Sequence, residues 1–557
     1  MQTKQRAKLK FRAKRLVPIG AALRRFGRQD DGALMIFGLV LFMLMAMMGG
    51  LAVDLMRYES VRTTLQNTLD RSTLAAASLN NRLNATAVVY DYFDKAGMRG
   101  YLTNVTVTES LNFREVTAAA RANTEPMFVH LVGIDTLEAP GHSMAEQRVG
   151  AVEVVLALDI SGSMSGAKIA NLKTAAMEFV DTVLSVGNDE QSSITVVPYN
   201  AQVNLGPTLI AQFNATDPHG VADVNCIDMP GSAYAMATLS PTDPLPMTAY
   251  ADISGSTNRI NSYVSPTSAS YAVPNFSSSE CKPSTVNIVR LPARDNATIK
   301  ANINGMVAAG RTSIMMGMKW GVTLLDVAAR PMFAQFITDG VIPATLVDQP
   351  LDAADRSALK VIVLMTDGEH VSHNLITTGY RSGLSPIYLS TGDGNYSVHH
   401  TSGRPAAALT NEYWVPHLGT WQASPWNSGA GVVQRDWTAI WANLKLTYVA
   451  WQFYGRALGL TSGSPLQTTI YNSTIAAMRV TNGSVSTMDN QLQQTCAFAK
   501  ASGVIVYGIA FEAPTTGQTQ IRNCASSTAH YFNASGLQIQ TAFQEIAANI
   551  SQLRLTQ

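Results

Sequence analysis

The sequence predicts an α/β fold built on a doubly wound, mostly parallel sheet. Three observations carry that prediction. From Val152 onward, short apolar runs alternate with segments whose apolar residues recur every three or four positions. The run VIVLM at 361–365 has no polar alternation, as expected of a strand covered on both faces. The amphipathic segments between such runs supply helices for both sides of the sheet.

The 557 residues suffice for about three to four domains. Charged residues make up 14% of the chain, against about 25% in an average soluble protein. Ser, Thr, Asn and Gly therefore cover much of the surface, a composition common outside the cytosol. The net charge is +1, which gives no global argument for nucleic acid. The positive charge is concentrated at the start, in Lys4, Arg6, Lys8, Lys10, Arg12, Lys14, Arg15, Arg24, Arg25 and Arg28. With little aromatic interleaving, this stretch reads as a topology signal rather than a nucleic-acid arm.

Residues 33–53, ALMIFGLVLFMLMAMMGGLAV, hold no charge and no proline. About 20 such residues cross a bilayer, whereas a signal-peptide core is about 7–15 long. The run leads into Asp54, Arg57, Glu59 and Arg62, with no small-residue cleavage site. An uncleaved single-pass anchor is expected, with residues 1–32 cytoplasmic and everything after Asp54 exported. Leu55, Tyr58, Arg62, Leu65, Leu69, Ser72, Ala76 and Leu79 then mark one helix face. That face suits either a partner helix or the chain's own membrane-proximal region, 54–150, a small α+β unit. Within it, 88–93 reads as helix and VTVT at 105–108 as strand.

The main domain spans 151–557. Strands are expected at 152–158, 194–197, 361–365, 504–511 and 531–532. Helices are expected through Ile169, Leu172, Ala176, Phe179, Val180 and Val183, then at 314–328, 488–501 and through Phe543, Ile546, Ala547, Ile550 and Leu553. Two long insertions interrupt this rhythm, at about 200–286 and 372–484. The first is rich in Ser, Pro, Thr and Asn. The second is aromatic, and its segment DWTAIWANLKLTYVAWQFYGRAL reads as helical.

Four cysteines, Cys226, Cys281, Cys496 and Cys524, include no C-x-x-C, which argues against a zinc ribbon or a thioredoxin-like site. An even count in an exported chain suggests two disulfides among three possible connectivities. Cys226–Cys281 and Cys496–Cys524 are favoured because each closes a local loop.

The chemistry-bearing residues sit where strands end. Open α/β sheets place ligands beyond the carboxyl ends of their strands. Asp159, Ser161 and Ser163 form D-x-S-x-S after the first strand. Thr312 stands in AAGRTSI before a helix, and Asp367 follows VIVLMT. Together they offer three hydroxyls and two carboxylates, the oxygen donors that hard divalent cations prefer. A site dominated by neutral hydroxyls leaves a cation electrophilic, with room for an outside carboxylate.

These residues, in this order, resemble the metal-ion-dependent adhesion site of the von Willebrand factor type A family. The resemblance covers about 152 to the C-terminus, less the insertions. It implies that Ser161, Ser163 and Thr312 coordinate Mg²⁺ (or Ca²⁺ or Mn²⁺) directly, that Asp159 and Asp367 act largely through water, and that Gly162 lets the loop turn tightly. A second resemblance lies in DDGALMIFGLVLFMLMAMMGGLAVDLMRYESVRTTLQNTLDRSTLAAAS and in CAFAKASGVIVYGIAFEAP with NCASSTAHYFNAS and AFQEIAANISQLRL. It is to TadG-like proteins of the tight-adherence (Flp) pilus systems. It implies a bacterial inner-membrane protein with its bulk in the periplasm or at the surface. Related pseudopilins are cut after a glycine that has a glutamate a few residues on. Gly32 is followed by ALMIF, so the anchor is expected to remain.

The expected function is binding, not catalysis: an acidic residue of a protein partner, a pilus or secretion component, captured at the metal. The alternatives are a stand-alone surface adhesin and a metallohydrolase using Asp367, Glu369 and His370. GEHVSH is not H-E-x-x-H, so Glu369, His370 and His373 are expected as solvated loop residues, as are His399 and His400. GDGN at 392–395 lacks the rest of a calcium loop and reads as a turn. Trp414, Trp421, Trp426, Trp437 and Trp441 are expected to pack an insertion core rather than to form a carbohydrate platform. No G-x-S-x-G, P-loop or dinucleotide fingerprint occurs.

Overall fold

The computed structural model describes residues 32–78, 83–109, 113–148, 151–185, 192–236, 238–253, 255, 259–352, 358–408 and 410–556. Apart from Gly32, the basic segment assigned to 1–32 lies outside them. The chain divides into two compact units, residues 1–148 and 149–557.

In the first unit one helix, α1 (Gly32–Ala77), runs unbroken for 46 residues. Its amino-terminal part, with Leu34, Phe37 and Phe42 exposed, is long and apolar enough to cross a membrane. Leu65, Leu69, Ser72 and Ala76, on the face read from the sequence, are fully buried in the first unit's own core. The partners are α2 (Ala85–Lys95) and an antiparallel sheet of β1 (Leu102–Glu109), β2 (Phe113–Thr124) and β3 (Leu137–Arg148). Close packing needs Gly141 on β3, because a Cβ there would lie 2.6 Å from Leu69 Cδ1. Asp54 closes the apolar stretch. Its carboxylate accepts the backbone N–H groups of Met127, Phe128 and Val129 at 2.9, 2.7 and 2.8 Å.

The second unit is organised by a six-stranded sheet. Its strands are β4 (Ala151–Asp159), β5 (Ser193–Tyr199), β6 (Arg290–Ala293), β7 (Ala358–Thr366), β8 (Ile505–Phe511) and β9 (Tyr531–Ala534). The order across the sheet is β9-β8-β7-β4-β5-β6. The four pairings from β9 to β5 are parallel, and β6 is an antiparallel edge. All nine residues of β4 are buried. Val155 and Ala157 face α3 (Ile314–Leu325), α4 (Val485–Ala501) and α5 (Thr515–Cys524). Val154, Leu156 and Leu158 face α6 (Ala167–Ser185), α7 (Asn296–Gly305) and α8 (Gln538–Thr556) on the other side. Helices on both faces leave no solvent side for polar alternation, which explains the apolar strands. Of the two acids in β4, Glu153 lies across from Lys360 in register, 3.6 Å away, and also accepts the Leu351 N–H. Burial pushes its carboxyl up to about 7.

The two insertions fold against each other. The segment 384–436 forms a five-stranded antiparallel sheet, and the aromatic helical stretch 437–458 packs beside it, with Trp437, Trp441, Tyr448 and Trp451 in one core. Side chains of that stretch reach back into the first insertion: Tyr448 Oη donates to Val264 O at 2.8 Å and Trp451 Nε1 to Ile260 O at 2.7 Å. A buried ion pair, Arg381–Asp228 at 2.9 Å, joins the two insertions again. Cys226 is bonded to Cys281 and Cys496 to Cys524.

The chain as a whole therefore has mixed sheets, and antiparallel pairings are the majority among the described residues. The expectation of one mostly parallel sheet does not describe it. The alanine-rich middle of β2, FREVTAAARANT, has weak strand propensity, and the insertion strands were hidden in turn-rich segments. Among the described residues, parallel pairing of strands occurs in the central sheet and in a two-residue pair at 215–216 and 245–246, with isolated parallel bridges at Asn204–Ile288 and Leu460–Leu466.

Candidate metal centre

Four of the five oxygen-bearing residues singled out in the sequence converge at the carboxyl ends of β4 and β7. Asp159 ends β4 and is completely buried. Its Oδ1 accepts the Ser161 N–H at 2.7 Å and its Oδ2 accepts the Thr366 hydroxyl at 2.6 Å. Burial pushes its carboxyl up to about 6, reinforced by the nearby Asp367 charge and opposed by these hydrogen bonds. The Ser161 and Ser163 hydroxyls lie 3.0 Å apart, and Asp367 Oδ1 accepts from them at 3.5 and 2.7 Å respectively. Thr312 is placed one residue further along: its hydroxyl would be 3.3 Å from a Cβ at Gly368, and its carbonyl accepts the Val371 N–H at 2.9 Å.

The loops are held by close backbone approach. Gly162 donates to Gly310 O at 2.9 Å, and a Cβ on Gly162 would stand 3.2 Å from that oxygen. Gly162 thus serves proximity. The left-handed residue is Gly166, at φ +83°, just before α6. Gly517 on α5 meets the Asp367–Gly368 loop still more closely, since a Cβ there would fall 2.1 Å from Gly368 O.

The donor set suits a hard divalent cation. An octahedron with ligands at about 2.0–2.1 Å has neighbouring oxygens about 2.9 Å apart. The Ser161 and Ser163 hydroxyls, 3.0 Å apart, match two adjacent corners, and Asp367 Oδ1, 2.7 and 3.5 Å from them, stands beside that pair. Among the described residues no group of three or more His, Cys, Asp or Glu is placed to hold a metal. A cation here would depend on hydroxyls.

Thr366 and Lys168 were not singled out in the sequence. Thr366 stands just past the pairing Leu158↔Met365, so strand register alone sets it opposite Asp159. Lys168 Nζ contacts Asp367 Oδ2 at 2.9 Å and Glu512 Oε2 at 3.6 Å. Burial works against the Lys168 charge, but the Asp367 hydrogen bond and the two carboxylates outweigh it and raise its pKa.

The histidines depart from expectation. His370 and His373 are each 2% exposed, not solvated. His370 Nε2 accepts the Met315 N–H at 3.0 Å and Nδ1 meets Asp489 at 2.7 Å, so the imidazole ties the Asp367 loop to the start of α3 and to α4. Both ring nitrogens are thus engaged with protein partners. His400 is buried as well, with Nε2 on Phe453 O at 2.9 Å. The partners are distant in sequence and out of view in any local window: α3 and α4 for His370, Met229 and Tyr234 of the first insertion near His373, and Trp421, Phe453 and Tyr454 for His400.

Residues 32–79 match a family described as putative Flp pilus-assembly TadE/G-like. No curated protein matches the chain. Among solved structures it is similar to the pilus adhesin SpaC from Lactobacillus rhamnosus GG, at 10% identity and a TM-score of 0.29, over 81% of this chain and 33% of that one. It is also similar to the vWF domain of the type V pili tip protein Mfa5 from Porphyromonas gingivalis, at 14% identity and a TM-score of 0.28, over 72% of this chain and 96% of that one. A third is the adhesive tip pilin GBS104 from Group B Streptococcus agalactiae, at 12% identity and a TM-score of 0.30, over 69% and 96%. The chain spans about a third of the length of SpaC. These overlaps are loose, and the fold rests on the strand order above. At residues 32–79, the chain carries the TadE/G-like segment of the Flp pilus-assembly family.

Proposed function

We propose that residues 151–557 form a von Willebrand factor A-like binding domain with a doubly wound central sheet, and that it captures an acidic side chain of a protein partner in Flp pilus assembly or adhesion. Ser161, Ser163 and Thr312 would hold Mg²⁺, or Ca²⁺ or Mn²⁺, directly, with Asp159 and Asp367 behind them. The bound cation would supply a positive centre that accepts a carboxylate oxygen. Asp159 orders the loop through the Ser161 amide, and Thr366 fixes Asp159. The chain acts as a binding and scaffolding protein rather than an enzyme. It is held in the bacterial inner membrane by 33–53, with 1–32 cytoplasmic and 54–150 as a membrane-proximal region on the exported side.

The single observation that carries this reading is the convergence of the Ser161 and Ser163 hydroxyls, 3.0 Å apart, on the Asp367 carboxylate beyond the ends of two parallel strands. The insertions support a role in partner choice. Arg311, next to Thr312, pairs with Glu280 of the first insertion at 3.3 Å and donates to Ser372 O at the start of the second at 3.2 Å. The test is calorimetric titration of the full chain in detergent with Mg²⁺ and Mn²⁺, together with capture of membrane proteins with and without EDTA. Wild type should bind a divalent cation and lose captured protein in EDTA, and Ser161→Ala/Ser163→Ala should do neither. Equal cation binding by wild type and the double variant would refute the site.

A further inference from the structure

We infer that Lys168 is a built-in counter-charge of this centre, weakening its hold on a cation and strengthening its attraction for an outside carboxylate. The inference rests on the metal-dependent reading above. It begins with the division of labour on Asp367. Oδ1 faces the Ser161 and Ser163 hydroxyls, whereas Oδ2 receives the Lys168 ammonium at 2.9 Å. Lys168 therefore makes one carboxylate oxygen available to the centre and withholds the other. The Asp367 side chain is fully buried and that of Lys168 is 26% exposed, so solvent screens this pair less than an open surface pair.

A second support fixes the ammonium independently. Glu512, just past the end of β8, approaches Lys168 at 3.6 Å through Oε2, and its Oε1 accepts the Gly536 N–H at 2.9 Å. Its backbone is left-handed at φ +54°, a conformation uncommon for a residue with a side chain and one that persists where surrounding structure requires it. Here that conformation accompanies a second carboxylate within reach of the Lys168 ammonium. Glu512 also donates its own N–H to Ala534 O at 2.9 Å, which anchors the strand end to β9.

The charge count gives the consequence. Asp159, Asp367 and Glu512 together bring three negative charges, and Lys168 returns one. With a divalent cation this set is neutral overall, so the cation can still draw a partner's acid. Without Lys168 the same set would be negative, so the cation would be held more firmly and the acid more weakly. A lysine that merely decorates the surface would change neither.

The experiment uses the full chain in detergent with Mn²⁺ as the cation and acetate as the carboxylate. Free Mn²⁺ is read by electron paramagnetic resonance. Acetate uptake is read as the loss of water-proton relaxation at bound Mn²⁺. Lys168→Met and Lys168→Gln are each expected to bind Mn²⁺ roughly tenfold more tightly and acetate roughly tenfold more weakly. Lys168→Arg, which keeps the charge, is expected to stay within about twofold of wild type on both counts. Neutral variants that match wild type, or that move both affinities in the same direction, overturn the inference while leaving the metal site standing. A wild type that takes up no Mn²⁺ overturns both.

Discussion

Thr366→Val removes a hydroxyl while keeping shape, and it isolates the buried end of the candidate centre. The Thr366 hydroxyl donates to Asp159 Oδ2 at 2.6 Å and accepts the Gly368 N–H at 3.1 Å. Asp159 is fully buried, so water cannot replace the lost donor. A hydrogen bond to a charged group contributes about 1.5–3 kcal/mol, and an orphaned amide adds a fraction more, so the expected cost is about 2–3 kcal/mol. The same change removes an interaction that pulls the Asp159 carboxyl down against burial, so that carboxyl should move above its value of about 6. Urea unfolding followed by tryptophan fluorescence is the assay, because all seven tryptophans lie between Trp320 and Trp451, in the second unit. Thr366→Ser, which retains the hydroxyl, serves as control and should lose no more than about 1 kcal/mol. A Thr366→Val protein within about 0.5 kcal/mol of wild type would show that Asp159 is satisfied without Thr366.

Gly517→Ala forces a Cβ to within 2.1 Å of a backbone oxygen that cannot rotate away, so it should destabilise by about 1–3 kcal/mol and weaken Mn²⁺ uptake through Asp367. Unchanged melting and unchanged titration would contradict the packing of α5 on the Asp367 loop. Replacing Cys226 and Cys281 by serine opens a 55-residue loop, worth about 4 kcal/mol by chain entropy, and should admit proteases between them. A cleavage pattern identical to wild type would refute this. Burial lowers His400 from 6.5 to about 4, with the His399 and Arg404 charges adding to it and the Phe453 carbonyl opposing. The unfolded chain therefore takes the proton first. The His400 contribution is complete above about 6.5 and is lost as pH falls toward 4, by about 3 kcal/mol. Unfolding free energies at pH 7 and 4.5 should differ less in His400→Gln than in wild type, and equal slopes would dismiss the effect.

Much of the central sheet was legible because its signals are local. An apolar run such as VIVLM has one comfortable environment, and Leu172, Ala176, Phe179 and Val180 mark a helix face by spacing alone. The loop Asp159–Ser161–Ser163 could be found for the same reason: its oxygens lie within five residues. What escaped depends on distant partners. Thr366 matters only through register with Asp159, and Lys168 only through Asp367 and Glu512, 199 and 344 positions away. His370, His373 and His400 look like solvated loop residues until α3 and α4 close on the first and the insertions on the other two. β2 and β3 escaped because their alanines carry weak strand propensity, and only the flank of α1 gives them something to cover.

The unbroken course of α1 has a mechanical consequence. At 1.5 Å per residue its 46 residues extend about 70 Å, and the apolar portion uses less than half of that. It has no proline to act as a joint, and past Asp54 its flank is cemented to the three-stranded sheet. The rod and that sheet must then move as one body. Any force that tips the apolar end is delivered as torque to the sheet at the other, with little loss on the way.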